Sequence, residues 1–145
     1  MNLNVILVPP GQVTFWITRL TKYLRESAKW SHGRCNVDDI VRFIINGHMQ
    51  CWAVIDEDFE PYGYVVTEIK QYPLCKMLVI QYTAGEANHM KYAEDTMYAV
   101  LDKFGRDGGC AGIEFFGRPG WTPHVKKHGY DVKSVVYQKF FGEGQ

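Results

Sequence analysis

An excess of charge of one sign is missing from this chain: 16 Lys and Arg stand against 16 Asp and Glu, for a formal net charge of +0. Without a basic surplus there is little to draw a polyphosphate backbone, so a nucleic-acid partner is not expected. No run of like charges marks a solvated tail or a membrane-surface helix. Long apolar runs are also missing. Stretches such as Phe43-Ile44-Ile45 and Val135-Val136-Tyr137 fall far short of the roughly 20 residues that span a bilayer, and no membrane partner is expected. The opening MNLNVILVPPG has no cationic flank and its apolar run is cut by Pro9-Pro10, which reads as no signal peptide and a cytoplasmic setting. Cysteine is sparse and scattered. Cys35, Cys51, Cys75 and Cys110 form no C-x-x-C pair and read as reduced core thiols rather than a disulfide framework or zinc site. The histidines His32, His48, His89, His124 and His128 show no H-E-x-x-H spacing; His124 and His128 are one helical turn apart with no third ligand, so no metal site is expected.

What is present is the material of one core. A length of 145 residues with 46% hydrophobic content fits a single domain over residues 1–145, with no repeat, low-complexity tract or linker. Leu3 to Val8 reads as a strand stopped by Pro9-Pro10. A helix is predicted over Gly11 to Lys29, with Val13, Trp16, Ile17, Leu20, Tyr23 and Leu24 on its apolar face. Asn36 caps a second helix, with Asp39 three positions on and Ile40, Phe43 and Ile44 facing inward, until Asn46-Gly47 ends it. Gln50 to Ile55 and Tyr62 to Ile69 read as strands joined by the acidic turn DEDFEP, and Tyr72-Pro73 makes the next turn.

From Lys76 to Phe141 the pattern runs strand, loop, helix, strand, Gly-rich turn, short helix and final strand. Lys76 to Ala84 reads as a strand covered on both faces and stopping at Gly85. From Met90 the apolar residues Met90, Ala93, Met97, Val100, Leu101 and Phe104 recur at helical spacing, with Gly105 and Gly108-Gly109 as terminators. Cys110 to Gly117 is a buried strand, parallel to the Lys76 strand if its crossover is right-handed.

The run GGCAGIEFFGRPGWTPHVKKHGYDVKSVVYQKF resembles the C-terminal half of the GNAT superfamily of N-acetyltransferases, particularly short GNAT-like proteins encoded by bacteriophages, and in pattern the likeness extends from about Trp30. It implies an α/β (α+β) fold: a mixed, mostly antiparallel sheet with a splayed pair of parallel strands, flanked by about four helices. It also implies where chemistry would sit. Active relatives carry a pattern like Q/R-x-x-G-x-G/A after the equivalent of the Lys76 strand, whose backbone N–H groups and helix N-terminus hold the coenzyme A pyrophosphate. Here the loop reads Thr83-Ala84-Gly85-Glu86-Ala87-Asn88-His89-Met90, with one glycine. Tyr82, Ala84, Gly85, Ala87 and Asn88 would line what is left of the coenzyme site. Glu86 sets a carboxylate where a diphosphate would lie, and two like charges about 4 Å apart repel by roughly 1 kcal/mol even in water. Its alternative role is structural, a first-turn acid facing the helix dipole, with Asn88 as the cap.

The resemblance also implies a tyrosine near the thioester sulfur, in a Y-x-K-x-G-F/Y ending. Counting back from Gly129-Tyr130 puts Val125 at that position and Arg118 near a family asparagine, so the general-acid role is vacant unless His124 or His128 fills it. Tyr130 reads as opening the last strand. Glu68 and Glu114 are the candidate general bases, each on the strand face opposite Val65, Thr67 and Ile69 or Ile113 and Phe115, or else they are structural acids paired with Lys or Arg. The turn Gly117-Arg118-Pro119-Gly120-Trp121, at which the phage proteins most resemble one another, projects Arg118 and Trp121. Arg118 either binds an anion or pairs with Glu114 or Glu68, and Trp121 plugs the end of the core.

Two readings of function follow. The first is a bacteriophage-type protein with a degenerate acetyl-CoA loop and no cofactor, contacting a virion or host protein through aromatic surface, in the host cytoplasm or the virion; aromatics make up 14% of the chain. The second is an acetyl-CoA-dependent N-acetyltransferase in which Glu68 or Glu114 deprotonates a primary amine.

Overall fold

The computed structural model describes residues 2–142. After strand β1 (Asn4–Leu7), a 3-10 turn over Pro10–Gln12 leads into helix α1 (Val13–Lys29), in which Val13, Trp16, Leu20, Tyr23, Leu24 and Ser27 are buried. Helix α2 (Val37–Ile45) starts on a full capping box: Asn36 accepts from the Asp39 N–H while the Asp39 carboxylate accepts from the Asn36 N–H. Three strands follow, β2 (Gln50–Ile55), β3 (Pro61–Gln71) and β4 (Lys76–Gly85). A single helical turn, α3 (Ala87–Met90), precedes the long helix α4 (Glu94–Asp107). Strand β5 (Gly112–Phe115), a 3-10 turn over Pro119–Trp121 and the short helix α5 (Thr122–Lys126) complete the elements.

The sheet runs β1-β2-β3-β4-β5, antiparallel throughout except for the parallel pair β4 and β5. Alternation along the strands splits the core in two. Tyr64, Val66 and Ala84 face α1 and α2, joining Leu20, Leu24 and Ile40; Val65, Leu78 and Ile80 face α4, joining Met97, Tyr98 and Leu101. Each fully buried aliphatic side chain contributes about 1.5–3 kcal/mol by leaving water. Polar groups inside the sheet and under α1 are matched in a short network: Tyr64 donates to Ser27 Oγ, Trp52 Nε1 donates to Thr67 Oγ1 at 3.0 Å, and Thr67 passes its own proton to Gln50 at 2.9 Å.

Four expectations change. The crossover is not one helix from Met90. Met90 folds back over Gly63 and Gly85, where an added Cβ at either glycine would lie 2.6–2.8 Å from its thioether, and the helix restarts at Glu94. Gly105 does not end that helix either; it lies buried within it, facing Leu78, where an added Cβ would make ordinary contact at 3.6 Å. Trp121 is half-buried against Phe115 (centroids 5.5 Å apart) rather than plugging the core, and Phe104 is likewise partial, edge-on to the buried Trp52 at 5.0 Å. The expected final strand is absent among the described residues: 131–142 are exposed and outside any helix or strand. The chain turns at Gly129 (φ +90°) and is drawn away from the sheet edge toward Gly33 and Arg34.

Two outcomes follow from this packing. Trp52→Ala costs about 3 to 5 kcal/mol in denaturant unfolding, and Trp121→Ala clearly less; an equal loss at Trp121 would restore it as the core plug. Gly85→Ala costs about 1 to 3 kcal/mol, as overpacking does, and the double variant with Met90→Ala recovers only part of it, because the Tyr62 carbonyl also stands 2.9 Å from the added Cβ. Full recovery, read as the unfolding midpoint, would place all the strain on Met90.

Candidate functional site

The parallel strands part company early. Their pairing runs from Met77 opposite Gly112 to Ile80 opposite Phe115, and the last bridging bond is Phe116 N–H to Ile80 C=O at 3.3 Å. Strand β4 continues to Gly85 without a neighbour on that side. At the same place its register with β3 slips: Thr67 faces Ile80 but Val66 faces Tyr82, leaving Gln81 as an extra residue. A bulge of this kind bends its strand and raises its twist, so the splay and the bulge coincide.

The α1–α2 loop covers one side of this opening. Ser31 holds it, donating to the Ala28 carbonyl and accepting from the Cys35 N–H, and the Cys35 thiol meets the Tyr82 hydroxyl at 2.8 Å. Burial, then the Cys35 contact, pushes the Tyr82 phenol well above its ordinary range. Residues Tyr82 and Ala84 thus face α1 and α2, while Gly85 lies opposite Gly63. Ala87 and Asn88 fall inside α3. Asn88 is not the cap: the capping position is Glu86, whose side chain makes no cap bond because its carboxylate reaches Lys22 at 2.8 Å and accepts from Tyr23 at 3.2 Å. Lys22 holds the Glu86 carboxyl below its usual value. This exposed tie joins β4 to α1 and is worth little by itself.

The two candidate bases share a row. Glu68 is opposite Val79, and Val79 is opposite Glu114, so all three side chains stand on the α1–α2 side of the sheet. Two strand spacings put the carboxylates roughly 10 Å apart. Glu68 is met by His48 Nε2 at 2.9 Å and by the Gln81 amide at 3.4 Å; Glu114 accepts from the Tyr72 hydroxyl at 2.9 Å, which raises the Tyr72 pKa. Neither pairs with a Lys or Arg, contrary to the structural alternative read from sequence. Arg118 does not bridge to them. Its guanidinium stacks 4.5 Å from the ring centre of Trp30, at the end of α1. Sequence reasoning missed His48, Tyr72 and Trp30. None of the three had a signal in the sequence: extending the β2–β3 register back from Gln50 opposite Thr67 sets Met49, not His48, opposite Glu68.

The other candidate locus is the start of α4, the helix that crosses between the parallel strands. Its cap, Ala93, contributes no side-chain bond, the preceding turn Lys91-Tyr92-Ala93 has no glycine, and the first turn carries Glu94 and Asp95. Helix α5 closes over it. His128 Nε2 lies 3.4 Å and His124 Nδ1 3.8 Å from Glu94 Oε1, and the His128 ring stacks on Tyr98 with centroids 4.0 Å apart. Val125 packs on the α4-side core, as does Tyr130, whose hydroxyl is buried without a partner. Among the described residues no three metal-ligating side chains converge, and no helix is long and apolar enough to cross a membrane.

The sequence matches no protein-family model, and no curated protein is significantly similar to it. Solved structures are similar in shape over nearly the whole chain. An aminoglycoside acetyltransferase from an uncultured soil metagenomic sample superposes with a TM-score of 0.70 at 15% identity, covering 98% of this chain and 100% of that one. A ribosomal-protein-alanine N-acetyltransferase from Brucella melitensis biovar Abortus 2308 gives 0.69 at 11% identity, covering 97% and 100%. AAC(6')-Iy, solved with the bisubstrate analogue CoA-S-monomethyl-acetylneamine, gives 0.66 at 14% identity, covering 97% and 100%. With a five-stranded mixed sheet, a parallel pair that opens beside a bulge and a helix crossing between the two strands, this chain has the fold of the GNAT acetyltransferases.

Proposed function

We propose that this chain uses the GNAT fold as a protein-contact module of bacteriophage type, engaging a virion or host component, and has given up acetyl transfer. What carries the reading is the first turn of α4. A helix of this length offers free N–H groups and a positive dipole end to an anion. Here Glu94 and Asp95 already stand at that end, the turn before it lacks the glycine that lets a phosphate approach backbone closely, and α5 with the turn after it is set on top through His124 and His128. A diphosphate would meet two carboxylates at once. The Glu86 carboxylate, tied to Lys22, adds a third on the approach from β4. For contact with a protein the chain offers Trp30 with Arg118 stacked on it, and Phe116, all exposed. The bacteriophage setting rests on the resemblance of the GRPGW turn.

The second reading, acetyl-CoA-dependent transfer to a primary amine, is favoured by one observation: the His48–Glu68 pair stands at the bulge where β4 and β5 part. An imidazole hydrogen-bonded to a carboxylate is a suitable acceptor for an amine proton. Coenzyme A appears in the complex of AAC(6')-Iy, and the fold is shared.

Calorimetric titration with acetyl-CoA separates the two. We expect no binding tighter than roughly 1 mM, equivalent to about −4 kcal/mol. A micromolar Kd, together with thiol release that His48→Ala and Glu68→Gln both depress, would transfer the conclusion to the enzyme. The Arg118 stack has its own outcome. Arg118→Ala lowers stability by only about 0.5 to 1 kcal/mol, the range of an exposed cation–π contact. A loss of about 3 kcal/mol or more would signal a broken buried ion pair instead.

A further inference from the structure

The histidines of α5 and of the turn after it face the acids that open α4, at spacings unusual for ion pairs. His128 Nε2 stands 3.4 Å and His124 Nδ1 3.8 Å from the same atom, Glu94 Oε1, and His128 Nε2 stands 3.7 Å from Asp95 Oδ1. A hydrogen bond from an imidazole N–H to a carboxylate closes to about 2.7–3.2 Å, and none of these contacts does. Glu94 Oε1 is buried all the same, and it accepts no hydrogen bond. Among the described residues neither Glu94 nor Asp95 meets a Lys or Arg; their ion-pair partners are the two histidines.

An orphaned buried oxygen in a folded protein asks for a water or an ion. A water would satisfy the oxygen and still leave two carboxylates without a cation. Two bonds of about 2.0–2.1 Å to one tetrahedral ion put their donor atoms roughly 3.3 Å apart. That is the His128–Glu94 spacing. We infer that Glu94, Asp95, His124 and His128 form a site for a divalent transition-metal ion that staples α5 to α4. Two imidazoles with two carboxylates suit zinc, whereas calcium and magnesium take oxygen ligands.

The sequence shows half of this set, two histidines one helical turn apart, and the fold brings the acids to them from α4. As they stand, the four donors meet in pairs and not at one point. The pair that would fix the ion's position is held: the Glu94 and His128 side chains are 20% and 18% exposed, and the His128 ring is stacked on Tyr98 with centroids 4.0 Å apart. The pair that has to turn is exposed, Asp95 to 98% and His124 to 52%, so both can swing onto the ion without disturbing the core. Helix α5 needs such a tie. It is five residues long with no side-chain cap and no buried residue, and its packing on the α4-side core rests on Val125. The site is structural, and its test reads metal rather than acetyl transfer, so it stands apart from whether coenzyme A binds.

The test uses the full chain, without an affinity tag and stripped of metal by a chelator. Zinc competed against a chromophoric chelator should bind as a single ion with a Kd below roughly 0.1 mM. Cobalt(II) in its place should give the visible bands of a four-coordinate ion, without the near-ultraviolet bands of a thiolate ligand. His128→Ala and Glu94→Gln should each weaken zinc binding by about tenfold or more, since losing even a group that only orients a ligand costs about that much. If either fails to fold, His124→Ala, at an exposed position, carries the same expectation. No binding of that strength, thiolate bands, or an affinity that the folded variants leave unchanged each overturns the inference.

Discussion

The molecule is organised by the demand placed on β4. It must pair antiparallel with β3 along one edge and parallel with β5 along the other, while both its faces are buried. A parallel neighbour requires a crossover, and the crossover helix has to lie on one face. That fixes α4 against Leu78 and Ile80 and leaves the opposite face to α1 and α2. One strand cannot satisfy both neighbours over ten residues with uniform twist. The extra residue at Gln81 absorbs the difference, and beyond it β4 and β5 separate. The opening that a ligand or partner would use is therefore a consequence of how the sheet is assembled.

How much of this was legible in the sequence depended on whether the determining signal was local. The capping box at Asn36 and Asp39 and the bounds of β2 are written in adjacent residues and appear as read. Alternation also placed Glu68 and Glu114 on their faces, because side-chain direction in a strand follows from counting. The bulge at Gln81 was not legible, since it is a mismatch between two strands and neither shows it alone. The break before Glu94 was hidden for a related reason. Met90 fits the helical period, but two glycines from different strands, Gly63 and Gly85, create the slot that captures it.

The candidate site shows the same division. Residue types were readable and partners were not. Arg118 beside two strand carboxylates looked like an ion pair, yet Tyr72 and His48 satisfy those carboxylates and Arg118 stacks on Trp30, 88 positions away in sequence. Burial of a carboxylate asks for a hydrogen-bond donor, and a phenol or an imidazole can supply one where no guanidinium does. Charge type in a sequence therefore narrows the list of partners without choosing among them.

Helix α5 joins the two unusual features of this chain. Through Val125, and through His128 in the turn that follows, it is seated on the first turns of α4, over the helix end that the fold could offer to an anion. Through Gly129 and Tyr130 it carries the strand-like segment that the sheet edge leaves unpaired. The buried and unpartnered hydroxyls of Tyr98 and Tyr130, beside the buried Glu94 Oε1 that likewise makes no hydrogen bond, leave this junction with polar groups that are costly to keep unpaired.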